Sequence, residues 1–354
     1  MRFFTPGRTE IIGNHTDHQL GRVIASAVTR GITAEVDITE NEKIITLKNE
    51  AYAPIEVDIT ELSPRREEIG TAAALVRGMA CALHERGYRI GGFSAELRSE
   101  LRVGGGLSSS AAFTVLIGKI LSALYNGSAV PPRMLAECAQ EAENRHFMKP
   151  SGLMDQLACA MERAVYIDFL TGEVQPLDCD FAAMGLALCL TDTGGSHAGL
   201  TAAYGEIPAD MRVAAEELGQ EKLSYVNYSD FAVRSFPHDR VHDRARHFFA
   251  ENERVPLMRD AILAADRDAC ITLMNASGRS SEQLLRNIRV PGGDDRLERG
   301  LALSAALLDG IGAWRVHGGG FAGCVQALVP LNEFESYRAA MEAAFGPGSC
   351  VKVM

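Results

Sequence analysis

Gly104-Gly105-Gly106-Leu107-Ser108-Ser109-Ser110-Ala111 joins two kinds of sequence. Before it, Phe93, Ala95 and Leu97 alternate with polar neighbours, the period of a half-buried strand. After it, Ala111, Val115 and Leu116 recur on one helical face as far as the stop signal Asn126-Gly127. The segment therefore reads as a strand, a glycine loop and a helix from Ser108 to Tyr125. Glycines let the backbone approach a ligand and turn N–H groups toward it. A helix N-terminus adds unpaired donors and partial positive charge, so the junction suits a phosphate. The serines add donors and a candidate metal ligand; a flexible turn with a serine cap is the plainer alternative. A Walker loop is excluded, because Gly118-Lys119 is followed by Ile120 inside the helix. A dinucleotide fingerprint is excluded too, because its third glycine position holds Ser109.

Outward from this segment, the first hundred residues read as strands. Ile32, Ala34, Val36 and Ile38 alternate, and Lys43 to Lys48 and Ile55 to Ile59 behave similarly. A helix is expected over Ala72 to Arg86, stopped by Gly87. Beyond the glycine loop, Pro131-Pro132 opens a helix with the stripe Leu135, Cys138, Ala139 and Ala142, and another begins near Gly152. Tyr166 to Leu170 returns to strand. The second half mixes strands (Gly185 to Thr191, Trp314 to His317, Gly323 to Val329) with helices, Asn332 to Phe345 among them. The class is α+β, without the regular alternation of a doubly wound sheet. The turn-rich stretch Thr171 to Asp180 suggests domains of residues 1–175 and 176–354.

With 354 residues and 47% apolar composition, the chain can bury two ordinary cores. A net charge of −11 disfavours nucleic acid and anionic membrane as partners. No apolar run approaches the roughly 20 residues of a membrane span, and the first residues lack a signal peptide's apolar run. A cytoplasmic enzyme is the expectation. The eight cysteines form no C-x-x-C pair and read as small buried hydrophobes, not a disulfide framework.

Two further constellations carry chemistry. Glu143 stands one place past its helix's apolar stripe, and Asp155 lies near the N-terminus of the next helix, which favours its ionised form. Together they offer a metal ligand and a base; solvated or capping carboxylates are the alternative. Arg8 offers a cation, and Asn14, His15 and Asp17 offer the dense hydrogen-bonding set that a sugar requires. His15-x-Asp17-His18 also has metal-ligand spacing, but no further His or Cys cluster completes a zinc set. The glycines at 318, 320 and 323 fit a dinucleotide spacing, yet a strand follows them instead of a helix.

Taken together, these segments resemble the GHMP family of small-molecule kinases and, within it, the galactokinases. The family's G-R-x-N-L-I-G-E-H-x-D-Y corresponds to Gly7 through His18, and G-x-G-L-S-S-S-A to Gly104 through Ala111. Ala139 to Asn144 and Gly152 to Gln156 resemble A-Q-x-A-E-N and G-I-M-D-Q. Asp192, His197 and Tyr204 keep a further spacing, Arg244 to Arg254 resembles R-A-R-H-V-x-x-E-N-x-R, and Gly318 to Cys324 resembles G-G-G-F-G-G-C.

The resemblance implies a two-domain GHMP kinase fold, ribosomal-protein-S5-like in its N-terminal domain and ferredoxin-like in its C-terminal domain. It implies transfer of the γ-phosphate of Mg-ATP to the C1 hydroxyl of galactose. Asp155 and Arg8 would be catalytic. Asn14, His15, Asp17, Gly152 and Tyr204 would line the sugar. Gly104, Gly105, Gly106, Leu107, Ser108, Ser109 and Ser110 would wrap the ATP phosphates, and Ser110 and Glu143 would hold Mg²⁺. Glu10 stands where the motif has Asn, Asn14 where it has Glu, and His18-Gln19 where it has Tyr-Asn. The last pair is similar to plant galacturonokinases. Loss of the carboxylate at position 14 raises the alternative of a uronate acceptor, since an amide adds donors and removes a negative charge. A non-catalytic sugar sensor on this fold would be expected to lose the base or the loop, and both are present.

Overall fold

The computed structural model describes residues 1–38, 43–50, 52–102, 105–195, 201–236, 238–289, 293–321 and 323–354. Two compact units emerge: Met1–Arg8 with Ser26–Arg163, and Thr9–Ala25 with Ala164–Met354. The sequence suggested a division at residue 175. The compact units instead part after Arg163, and they assign Thr9–Ala25 to the second unit.

Four strands open the chain: β1 (Arg2–Ile12), β2 (Arg22–Ile38), β3 (Ile44–Asn49) and β4 (Tyr52–Asp58). Helix α1 (Ala72–Glu85) and strand β5 (Phe93–Ser99) follow, then α2 (Ser109–Asn126), α3 (Pro132–Ala142) and α4 (Met154–Met161). Within the first unit β5 is flanked by two partners. It runs antiparallel to β2, with Ala34 opposite Leu97, and parallel to β3, with Ile45 opposite Phe93. β3 pairs antiparallel with β4. The period-2 alternation has its physical origin here: Ile32, Ala34, Val36, Phe93, Ala95 and Leu97 are all buried. Helices α1 to α4 pack on one another, with Ala111, Val115, Leu116, Leu135, Cys138 and Ala142 in their core. Thr71 caps α1 through its hydroxyl, accepting from the Ala74 N–H at 3.4 Å.

The second unit contains the hairpin β6 (Ala164–Asp168) and β7 (Glu173–Leu177), then β8 (Leu186–Asp192). Helices α5 (Thr201–Glu217), α6 (Tyr228–Ala232), α7 (Asp239–Leu263), α8 (Arg267–Ser280) and α9 (Arg296–Leu308) follow. Strands β9 (Ala313–Val316) and β10 (Cys324–Pro330), helix α10 (Phe334–Phe345) and β11 (Cys350–Lys352) complete it. A four-stranded antiparallel sheet has the order β11-β8-β10-β9. Its core joins Ala187, Cys189, Ala327 and Val329 to Leu308, Tyr337 and Met341 of α9 and α10. A second cluster gathers Ile207, Met211, Phe231, Val241, Phe248 and Leu285. All eight cysteines are free thiols and seven are buried, as expected of small hydrophobes. Among the described residues, no helix is long and apolar enough to cross a membrane.

Arg77 of α1 is 1% exposed, a burial the sequence did not signal. Its guanidinium forks onto Glu68 at 2.6 and 2.8 Å and donates to the carbonyls of Asp58, at 2.6 Å, and Glu61. One cation thus closes the loop between β4 and α1. Removing it leaves a carboxylate and two carbonyls without their donor. Arg77→Met should cost about 3 kcal/mol, the low end for breaking a buried ion pair. A urea-midpoint change equivalent to less than about 1 kcal/mol, the range of an exposed pair, would refute this.

Candidate active site

In the first unit the site begins with a close approach. A Cβ on Gly7 would lie 2.6 Å from the Leu107 carbonyl oxygen and 2.9 Å from the Leu101 side chain, so only glycine fits. The next residue, Arg8, donates its backbone N–H to that Leu107 oxygen at 3.2 Å. Its guanidinium turns to Asp155 in the first turn of α4. Nε meets Oδ1 at 2.6 Å and Nη2 meets Oδ2 at 2.8 Å, while Nη1 donates to the Gly106 carbonyl at 2.8 Å. This is a bidentate, charge-assisted pair.

Ser108 stands at the N-cap position of α2 with φ +53°, in the left-handed region. Its hydroxyl does not cap the helix; it donates to Asp155 Oδ2 at 2.5 Å. Burial alone would raise the pKa of Asp155. The Arg8 charge, the Arg8 hydrogen bonds, the Ser108 hydroxyl and the Lys149 charge outweigh it and hold the carboxyl below its ordinary range. Gly105, Ser109 and Ser110 are partly buried and Gly106 is exposed, while the Leu107 side chain is buried. Gly152, just before α4, is exposed. Gly104 lies outside the described residues.

Glu143 begins a π-helical turn, Glu143–Phe147, that continues α3. Such turns re-aim side chains and recur at functional sites. Glu143 is 1% exposed. Its Oε2 accepts from the Ser151 hydroxyl, from Gln156 Nε2 at 3.1 Å and from Lys149 Nζ at 3.4 Å. Its Oε1 has no hydrogen-bond partner among the described residues. The Lys149 ammonium also reaches the Ser110 hydroxyl at 3.5 Å.

In the second unit, Gly13 has φ +108°, and a Cβ there would lie 2.6 Å from the Arg22 carbonyl oxygen. The turn it permits is held by a buried carboxylate. Glu251 Oε1 accepts the backbone N–H groups of Gly13 and Asn14 at 3.1 and 3.3 Å and the Ser277 hydroxyl at 2.6 Å. Arg254 donates to its Oε2 at 2.5 Å. Burial would raise the pKa of Glu251; His247, Arg254, Arg315 and the Ser277 hydroxyl bring it down to about 2. His247 Nε2 donates to the Asn14 carbonyl at 2.9 Å, leaving Nδ1 to accept from Ser280 at 2.9 Å.

Asn14 is 1% exposed. Its Nδ2 donates to the Gly318 carbonyl at 2.6 Å and toward Glu10 Oε1 at 3.4 Å. Its Oδ1 accepts from Asn287 at 3.0 Å and Ser281 at 3.3 Å. The Asn14 side chain expected to face a sugar is therefore taken up within its own unit. His15, at φ +57°, donates from Nε2 to the Gly319 carbonyl at 3.2 Å, and its ring lies 5.3 Å from that of Tyr204. Burial lowers the His15 pKa to about 4, so the ring is neutral at pH 7. Asp17 is partly buried and Tyr204 is 50% exposed. Tyr204 packs on Gly319, where any side chain would strike its ring. Among the described residues no group of three or more His, Cys, Asp or Glu converges on a metal position. His197 lies outside the described residues.

Glu251, His247, Arg315 and Lys149 were not singled out as site residues from the sequence. The first two fall in the segment Arg244 to Arg254, whose likeness to a known motif carried no role. Arg315 sits in a short apolar strand and Lys149 in a loop, without a periodic signal.

The chain matches the model of the GHMP kinases N terminal domain over residues 74–163 and the galactokinase galactose-binding signature over residues 1–37. It is 31% identical to a galactokinase of Exiguobacterium sibiricum, covering 97% of this chain and 88% of the relative. It is 32% identical to a galactokinase of Mycobacterium tuberculosis, covering 94% and 90%. Its fold is similar to that of Lactococcus lactis galactokinase, solved in complex with galactose, with TM-score 0.83, 26% identity and coverage of 97% and 89%. The mevalonate kinase of Methanococcus jannaschii, at TM-score 0.72 and 15% identity over 100% of this chain and 98% of that one, shares the fold. With full-length likeness at this level, the chain belongs to the galactokinase family of GHMP kinases.

Proposed function

We propose that this enzyme transfers the γ-phosphate of ATP to the C1 hydroxyl of galactose, giving galactose 1-phosphate and ADP. The observation that carries the chemistry is the Asp155 carboxylate held by Arg8 and Ser108 beside the glycine loop that opens α2. Phosphoryl transfer passes through a loose transition state, so positioning and charge stabilisation dominate over base strength. Asp155, held ionised, is a weak base. That suffices, because the sugar hydroxyl becomes acidic as its bond to phosphorus forms. Arg8 keeps the carboxylate oriented and adds positive charge for the transferring group. The N-cap Ser108 side chain makes no hydrogen bond to the first turn of α2, whose N–H groups suit phosphate oxygens in this reading. His15, Asp17, Gly152 and Tyr204 contact the sugar in this reading, and Asn14 shapes its pocket by fixing the Gly318 carbonyl.

Magnesium fits the first unit. Ser110 supplies a hydroxyl, and Glu143 supplies a buried carboxylate with one oxygen that has no hydrogen-bond partner among the described residues. One carboxylate and one hydroxyl suit a hard cation that takes its other ligands from triphosphate and water. When bound, the ion offsets charge on the β- and γ-phosphates. A cytoplasmic setting accords with eight unpaired thiols.

A coupled ADP-release screen across galactose, galacturonate, N-acetylgalactosamine, glucose and arabinose tests the reading. Galactose should give the highest kcat/KM, and a clear preference for any other sugar overturns it. Asp155→Asn should fold normally and lose roughly 10²–10⁴-fold in kcat, the usual contribution of an acid–base group. Because the Asp155 pKa is lowered, the carboxylate is ionised at every pH above its ordinary range, so kcat should show no acid limb from it above about pH 5. Near-normal turnover by the Asn variant removes Asp155 from the mechanism.

Glu143→Ala should raise the half-saturating Mg²⁺ concentration at least ~10-fold, and full activity of the parent in excess EDTA would contradict the metal assignment. Glu251→Gln should act on the sugar alone. Losing the charge that holds the Gly13-Asn14 turn should raise KM for galactose roughly 10-fold with KM for ATP unchanged, the signature of lost ground-state binding. Parallel rises in both constants would indicate general loosening instead.

A further inference from the structure

Lys149 sits in the loop between α3 and α4, and its ammonium faces three residues of the phosphate end of the site. Nζ lies 3.4 Å from Glu143 Oε2 and 3.5 Å from the Ser110 hydroxyl, and its charge acts on Asp155. Of the three donors to Glu143 Oε2 among the described residues, Lys149 is the one that carries a charge. A carboxylate as buried as Glu143 requires a compensating cation. The contact is long for a charged hydrogen bond, and the Lys149 side chain is 48% exposed on a flexible stem. The main chain anchors the stem: the Lys149 N–H donates to the Glu143 carbonyl at 3.0 Å, just after Met148 turns through φ +62°. The ammonium is therefore tethered beside Glu143 but free to swing.

The local charge balance gives the swing a direction. Facing one another are two carboxylates, Glu143 and Asp155, and two cations, Lys149 and Arg8. Arg8 is committed to Asp155 by two hydrogen bonds, whereas Lys149 holds Glu143 by one long contact. Magnesium carried in on ATP would use Ser110 and Glu143, the two groups that Lys149 now touches. A cation released there stands beside newly arrived phosphate oxygens. An ammonium is a compact point charge with three rotatable donors, well suited to that exchange.

Building on the kinase reading above, we propose that Lys149 is a nucleotide-phosphate ligand: it neutralises Glu143 in the empty enzyme and pairs with an ATP phosphate oxygen when the metal takes Glu143. The test uses the full chain and two readouts. Calorimetry measures binding of a non-hydrolysable ATP analogue in excess Mg²⁺ and in EDTA, for the parent, Lys149→Met and Lys149→Arg. Steady-state kinetics gives KM for each substrate. Lys149→Met should weaken analogue binding in Mg²⁺ roughly 10-fold and raise KM for ATP in step, the scale of one charge-assisted hydrogen bond. KM for the sugar should stay unchanged, and Lys149→Arg should recover part of the loss. Undiminished analogue affinity in Lys149→Met overturns the proposal. So does a lower Mg²⁺ requirement without loss of nucleotide affinity, which would make Lys149 only a stand-in for the metal. Equal rises in both KM values would assign it a structural role and also overturn it. A parent that turns over no sugar would sink the kinase reading, while the calorimetric arm would still decide on Lys149.

Discussion

The missing side chain of Gly7 is the constraint from which the catalytic geometry follows. Strand β1 can lie against the Leu107 carbonyl only because nothing projects from residue 7. That contact places Arg8 at the mouth of the glycine loop, where one planar guanidinium bridges the Gly106 carbonyl and both oxygens of Asp155. A lysine could supply the charge but not the fork, and so could not fix the carboxylate plane. Strand, loop and helix α4 are thereby held to one another through a single residue. Ser108 bears a related cost: a left-handed serine is strained by about 1 kcal/mol, yet this conformation is the one in which its hydroxyl meets Asp155.

The second unit solves a similar problem with the opposite charge. The Gly13-Asn14 turn has two backbone N–H groups with no strand partner, and a carboxylate from the middle of α7 accepts both. Glu251 can be fully buried because four donors meet it, one of them the Arg254 guanidinium. A π-helical turn serves each unit. Glu143 opens one, and Ser281, which reaches Asn14, opens the other. In each, the wider turn follows directly on an α-helix, α3 or α8, and sets a polar group against a functional segment instead of the apolar core.

Much of the fold was legible because burial imposes periods. Strands β3, β5, β8, β9 and β10, the second half of β2 and helices α1 to α4 lie within a few residues of where alternation, helical stripes and stop signals put them. Strand β1 escaped, because Thr5-Pro6-Gly7-Arg8-Thr9 has no apolar alternation; its burial comes from the loop and network that cover it. So did the first half of β2, where Ile24 and Ala25 are both buried and the period fails. Helix α7 interleaves Arg244, His247 and Glu251 with Val241, Ala245, Phe248 and Val255 on its buried side, so its apolar stripe is interrupted and its period was hidden. The same reason explains the site residues that went unseen. A buried charge satisfied by distant partners leaves no local pattern; the carboxylate paired with Arg315, that of Glu10, lies 305 positions away.

Positions 10 and 14 show how far a substitution read alone can mislead. Asn14, taken by itself, removes a carboxylate from the sugar motif and adds donors, which would favour an acidic sugar. In the fold the carboxylate is still present four residues earlier, as Glu10, and Asn14 Nδ2 points toward it at 3.4 Å. Arg315, with 0% exposure, pairs with Glu10 and also donates to the Ile11 carbonyl and the Ser277 hydroxyl. The charge moved into the unit is thus neutralised on the spot. The donors gained at position 14 are also engaged, one by Gly318 and one by Glu10, so neither is left to meet a uronate. What the exchange changes is the support of the loop at Gly318: an amide accepting from Asn287 and Ser281 can donate to that carbonyl, whereas an ionised carboxylate could only repel it. The substitution is therefore compatible with a neutral sugar. Its physical effect lies in how the glycine loop is held.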